Sequence, residues 1–273
     1  MNRLLRYLAA GSLAALTAAG AQAGPLYNQN VTPGVIFGVG NINGSFTVAT
    51  QSGIELGLRG KLRHDASGQP QNIFNSNGNG TYSFAAGVAP TQASPTAEWS
   101  VEFSINTNVS GTTGVQLNDL TYALGVDTDK TQGTSFLVSD VVNVAFADHA
   151  LGDNSTVQCT SANNNNGNDA DGCYHKGQAS KNAADYAARI AALNVAQNSQ
   201  KAHWLLGPGF DPTADGTYDF YLAAYRGGQE VTRTSIQIIV GQGGAAVVPE
   251  PGALALAGLA LAGLAATRRR RPR

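Results

Sequence analysis

The side chains best suited to chemistry are rich in oxygen and fall in two places. Asn166, Asn168, Asp169 and Asp171 crowd before Gly172, and Asp127 with Asp129 forms a carboxylate pair at the end of an alternating stretch. Calcium takes about six to eight such oxygens. The twelve-residue calcium loop does not fit, because with Gly172 at its sixth position Gly167 and Gln178 stand where acidic ligands are needed. An irregular site of loop oxygens and a plain solvated turn both stay open, and Asn, Asp and Gly suit turns well. No metal site or cofactor is assigned. His64, His149, His175 and His203 lie in no metal-binding or triad spacing, and no acid and base pair stands out, so no catalytic residue is assigned and the chain is read as a non-enzyme. Gly38, Gly40 and Gly44 are not spaced as a dinucleotide fingerprint and are explained by turns. Trp99, Trp204, Tyr221 and Tyr225 are of the right type to stack on sugars, although aromatics in a β-sandwich mostly pack the interior.

Cys159 and Cys173 are the chain's two cysteines. In an exported protein an even count with a short intervening loop favours a disulfide, and closing a loop of about 15 residues is worth roughly 3 kcal/mol in the chain-entropy model. Zinc would need more ligands than this pair can offer.

The two ends of the chain settle where such chemistry would take place. Arg3 and Arg6 precede an apolar run from Tyr7 to Ala19 and the small-x-small string Ala21-Gln22-Ala23. This is the layout of a secretory signal peptide, with cleavage expected after Ala23. At the other end Val248-Pro249-Glu250-Pro251 leads into an uncharged stretch from Gly252 to Ala266, and then to Arg268, Arg269, Arg270 and Arg271. The prolines fix φ and hold Glu250 in an extended, exposed segment. At 1.5 Å per residue the apolar stretch makes a helix of about 23 Å, short of the roughly 30 Å hydrocarbon core, so it spans only where the bilayer thins or the arginines snorkel. The arginine cluster then stays on the cytoplasmic side and the body lies outside.

This tail resembles the PEP-CTERM sorting signal of Gram-negative bacteria. The resemblance covers about the last 26 residues and rests on Val248-Pro249-Glu250-Pro251, the short apolar helix and the arginine block. It implies exosortase, a membrane-embedded protease, as a partner that recognises Pro249, Glu250 and Pro251. The stretches Trp99 to Asp129 and Phe210 to Gly241 also resemble the body of a group of PEP-CTERM proteins, which implies a β-rich ectodomain without implying a ligand.

The elements between the ends carry a strand signature. Trp99, Val101, Phe103 and Ile105 alternate with Ser100, Glu102 and Ser104, the pattern of a half-buried strand. Leu120 to Val126, Tyr218 to Ala224 and Ile236 to Val240 repeat it, and Val35 to Val39, Ser45 to Ala49, Ile54 to Leu62, Thr81 to Ala85 and Val141 to Phe146 are further strand candidates. Turn-forming strings such as Asn75-Ser76-Asn77-Gly78-Asn79-Gly80 separate them. The expected fold is all-β, a two-sheet antiparallel β-sandwich of jelly-roll-like form, with one short helix over Lys181 to Leu193. The domain plan is a signal peptide at 1–23, an ectodomain at 24–240, a flexible Gly/Ala linker at 241–247 and the sorting tail at 248–273.

Charge narrows the partners. Between the two basic ends, ten Lys and Arg face eighteen Asp and Glu, leaving a net charge of −8. Such a body repels phosphate backbones, which excludes nucleic acid as a partner. The expectation is therefore an exported protein of the cell envelope or extracellular matrix, held by its tail helix until processing, with a structural or adhesive role. The alternative is a module that binds exopolysaccharide, and a secreted hydrolase is the weakest reading.

Overall fold

The computed structural model describes residues 24–158, 180 and 182–245. The signal peptide, Cys159 and Cys173, the loop carrying Asn166, Asn168, Asp169 and Asp171, and the tail with Pro249, Glu250, Pro251 and Arg268 to Arg271 all lie outside these residues. In chain order the strands are β1 (Leu26–Gln29), β2 (Phe46–Gln51), β3 (Ile54–Leu62), β4 (Thr81–Phe84), β5 (Trp99–Asn106), β6 (Thr121–Asp127), β7 (Phe136–Ser139), β8 (Ala150–Gly152), β9 (Val195–Lys201), β10 (Gly216–Arg226) and β11 (Gln229–Val240). Two helices, α1 (Ala183–Ile190) and α2 (Ala202–Leu206), flank β9.

The strands form two sheets, one in the order β1-β2-β3-β5-β9-β8 and the other β4-β11-β10-β6-β7. The expected pair of sheets is present, with one departure from a wholly antiparallel arrangement: β4 runs parallel to β11, pairing Thr81 to Phe84 with Gln237 to Val240. Among the described residues of the sandwich two α-helices are present where one was expected. Among the described residues no helix is long and apolar enough to cross a membrane.

Alternation explains what lies between the sheets. Trp99, Val101, Phe103 and Ile105 of β5 point inward, as do Tyr218, Phe220, Leu222 and Ala224 of β10, and all are buried. Trp99 sits at the centre, stacked on Phe84 at 6.1 Å and edge-on to Phe210 at 6.1 Å and Phe220 at 6.4 Å. It is fully buried and unavailable to a sugar, which corrects its reading as a stacking candidate.

The outer face of the first sheet is covered too. Ser100, Glu102, Ser104 and Asn106, expected to face solvent, are all buried. A strap of residues 31–44 lies across them and is fastened by side chains of β3, β9 and β5: Thr32 N donates to Glu55 Oε1 at 2.7 Å, Ile36 N to Gln197 Oε1 at 2.9 Å, and Asn106 Nδ2 to the Thr32 carbonyl at 2.9 Å. Val35 to Val39 is therefore strap and not a strand, since its backbone is satisfied by side chains instead of a ladder. Beneath the strap Arg59 and Glu102 form an ion pair with exposures of 0% and 1%. The Arg59 guanidinium lies 4.1 Å from the Phe46 ring centroid and 4.0 Å from that of Phe74.

Val141 to Phe146 is likewise no strand. The Asp140 carboxylate accepts from Val142 N and Asn143 N, both at 2.9 Å, and folds the segment into turns. The helix expected over Lys181 to Leu193 is shorter, spanning Ala183–Ile190. Asn182 caps α1 by accepting from Asp185 N at 3.0 Å, and Tyr186 docks it by donating its hydroxyl to the Val142 carbonyl at 2.7 Å.

Candidate functional site

The outer face of the second sheet carries a groove of about 650 Å³. On β10 the residues alternating with the core are Asp219 and Tyr221, and on β11 they are Arg233, Ser235 and Gln237. Tyr27 of β1 and Phe136 of β7 form its walls, and Asn79 and Thr81 its rim. Glycine allows the walls to close. A Cβ on Gly125, opposite Tyr221 in the ladder, would collide with the Tyr221 ring, so that ring lies flat over the β6 backbone. Gly80 combines a φ of +84° with a site where a Cβ would stand 2.9 Å from Tyr27 Cε1.

The polar groups of the groove are held in place. The Arg233 guanidinium carbon lies 4.1 Å from the Tyr221 ring centroid, and Phe136 meets that ring edge-on at 5.1 Å. Arg233 Nη2 donates to Glu230 Oε2 at 2.7 Å and to the Tyr225 hydroxyl at 3.2 Å. The bond from Arg233 keeps the Glu230 carboxyl below its ordinary range, while burial and then Glu230 push the Tyr225 phenol up. Gln237 Nε2 donates to Asp219 Oδ1 at 2.9 Å across the ladder. Two exposed aromatic walls and a floor of oriented amide, carboxylate and guanidinium groups suit a ligand that is apolar on its faces and hydroxylated at its edges.

The sandwich ends close to the β6–β7 turn. Gly244 N donates to Thr217 Oγ1 at 2.7 Å and the Ala245 carbonyl accepts from Gln132 N at 2.9 Å. The segment expected to be a loose linker is thus fastened to the sandwich as far as Ala245. Just beyond it, residues 247–271 match the family model for the PEP-CTERM protein-sorting motif. The chain carries a PEP-CTERM tail. No curated protein and no solved structure matches the chain. The PEP-CTERM match encloses Pro249, Glu250 and Pro251 as well as Arg268 to Arg271, and it marks the protein for exosortase-dependent sorting to the cell surface.

The other candidates from the sequence take structural places. Asp127 Oδ1 accepts from Asp129 N at 3.0 Å and Ser135 N at 2.7 Å, and Asp129 Oδ1 accepts from Thr131 N at 2.9 Å, so this pair shapes the β6–β7 turn. Among the described residues no group of three His, Cys, Asp or Glu side chains is placed to hold a metal ion. His149 is buried, with Nε2 2.6 Å from the Val141 carbonyl. Tyr221 and Tyr225 do belong to the groove or its border, whereas Trp204 lies exposed on α2. Tyr27, Phe136 and Arg233 escaped the sequence reading because the strands that bring them together are far apart in the chain.

Proposed function

We propose that this protein is a non-catalytic adhesin of the cell surface, delivered by its PEP-CTERM tail, whose sandwich grips a neutral face of exopolysaccharide in the groove of the second sheet. The groove between Tyr27, Phe136 and Tyr221 is the observation that carries this reading. A sugar ring offers C–H faces to aromatic walls and hydroxyls to Asn79, Asp219, Arg233 and Gln237, and such groups fix orientation in a mostly apolar site. Hydrolysis is disfavoured, because glycosidases use a pair of carboxyl groups and Asp219 is the one carboxylate among the described residues lining the groove.

The test is retention of the purified exported protein on the producer's own polysaccharide. Tyr27→Ala and Phe136→Ala remove walls that are 41% and 42% exposed, so both variants should keep the parent melting temperature while retention falls. Stacking on an aromatic is worth about 0.5–1.5 kcal/mol beyond its buried area, a weakening of roughly two- to twelvefold. Unchanged retention in the double variant would remove the groove from the account.

A further inference from the structure

A second concavity, of about 430 Å³, opens on the opposite side of the molecule, between Phe37, Val39 and Asn41 of the strap and side chains of β3, β5 and β9 in the first sheet. The ladder puts its residues side by side. Arg59 pairs with Glu102 and Lys61 with Ser100 between β3 and β5, while Glu102 pairs with Ser199 and Ser100 with Lys201 between β5 and β9. Lys61, Arg63 and Lys201 line the cleft and Arg59 lies beneath it, so four of the ten Lys and Arg between the basic ends gather at one place on an acidic protein. Glu102 is the one carboxylate that lines it among the described residues.

That carboxylate is already taken. Glu102 Oε2 accepts from Arg59 Nε at 2.7 Å, and its Oε1 accepts from Asn41 Nδ2 at 3.2 Å and lies 3.8 Å from Lys61 Nζ. Asn41 Oδ1 in turn accepts from Arg59 Nη2 at 3.1 Å and Lys61 Nζ at 2.5 Å. Arg63 and Lys201 are left over. Arg63 Nη1 donates to Ser199 Oγ at 2.9 Å, and Lys201 Nζ stands 5.3 Å from the Trp204 ring centroid, with no carboxylate paired to either among the described residues. Burial lowers the pKa of both, Glu102 works against that lowering at Arg63, and Arg63 lowers Lys201 further.

His64 adds a different demand. It lines the cleft, is 7% exposed, and its Nε2 is buried without a hydrogen-bond partner. Its Nδ1 lies 3.2 Å from the Gly68 carbonyl, which can only accept. Nδ1 therefore carries the proton in the neutral ring, and Nε2 is left as an acceptor seeking a donor. Burial, and after it Lys201 and Arg63, lowers the His64 pKa from its ordinary value against the opposing bond to the Gly68 carbonyl.

We infer that this cleft binds a hydroxylated carboxylate, the sugar-acid unit of an acidic polysaccharide, with its carboxylate on Arg63 and Lys201 and a hydroxyl donating to His64. Sulfate satisfies the cations but has no hydroxyl for His64, which is why a sugar acid fits better than sulfate. The site lies on the other sheet from the aromatic groove and does not rest on it.

The experiment titrates the exported protein with glucuronate, glucose and sulfate by calorimetry. Glucuronate is expected to saturate a single site, glucose to give no heat at the same concentrations, and sulfate to bind more weakly. Arg63→Gln and Lys201→Gln alter side chains outside the Arg59–Glu102 pair, so each should leave the melting temperature unchanged and weaken glucuronate about tenfold or more. His64→Leu should erase the preference for glucuronate over sulfate. Tyr27→Ala and Phe136→Ala should not change glucuronate binding, so that failure of the cleft and failure of the groove read out separately. No heat with glucuronate, or undiminished binding by the Arg63→Gln/Lys201→Gln double variant, would overturn the assignment, as would sulfate binding as tightly as glucuronate.

Discussion

Replacing Glu102 by Gln removes the charge that balances Arg59 while keeping the side chain's shape. Arg59 and Glu102 are 0% and 1% exposed, and Lys61 beside them is 7% exposed, so the variant leaves two buried cations with no carboxylate. Breaking a buried pair on one side costs about 3–5 kcal/mol, because the surviving charge keeps its desolvation penalty and loses its partner. The whole fold is stable by about 5–15 kcal/mol, so this is a large fraction. At roughly 2–4 °C per kcal/mol for a domain of about this size, the melting temperature should fall by about 6–20 °C. The strap should loosen with it, since Asn41 is fastened through Glu102, Arg59 and Lys61. Thermal denaturation gives the first number and amide exchange at residues 31–44 the second. Replacing both partners at once, as Arg59→Met with Glu102→Leu, should recover part of the loss, because paired removal costs less than one-sided removal. A loss below about 1 kcal/mol for Glu102→Gln would refute the reasoning, since that is what an exposed pair is worth.

Two further outcomes follow from the same structure and from the sequence. Burial pushes the Tyr82 phenol up to about 12, against about 10 when unfolded, and raises Tyr122 and Tyr186 as well. Each holds its proton more tightly when folded, so this stability is fully present below pH about 10 and is lost as pH rises through the folded values. Denaturant melts across that window should show a steep alkaline loss, reduced in Tyr82→Phe, which gives up a bond to the Ser45 carbonyl at 2.7 Å and about 0.5–1.5 kcal/mol at neutral pH. The exported protein should also contain a peptide linking Cys159 to Cys173 under nonreducing digestion. Labelling of both thiols in the native protein would exclude that disulfide.

What the sequence made legible was the side of each strand that faces the core. Trp99 to Ile105 and Tyr218 to Ala224 could be read because every second residue is apolar, and the burial follows that period. It left β9 unread, since Gln197, Asn198, Ser199 and Gln200 have no such alternation and form a strand because β5 offers a ladder to pair with. Polar residues on the outer face of β5 looked solvent-facing for the same reason. Only a segment from elsewhere in the chain, the strap, buries them, and its own apolar Val35 and Ile36 had suggested a strand. The sorting motif was legible because it is contiguous. The groove and the cleft were not, because each draws its side chains from strands separated by a hundred residues or more, such as Tyr27 with Tyr221 and Lys61 with Lys201.

The claim at the centre is delivery to the surface through the PEP-CTERM tail. Its direct measurement is the mass of the mature C-terminus in a host that carries exosortase and in one that lacks it, for the parent and for a variant with Pro249, Glu250 and Pro251 all replaced by alanine. In the sequence reading the prolines serve recognition, while the apolar stretch and the arginines serve insertion, so the variant is expected still to insert while processing stops. The account predicts a C-terminus shortened near the motif for the parent in the exosortase host alone, and full-length tails in the other three cases. Identical C-termini for the parent in both hosts would contradict it.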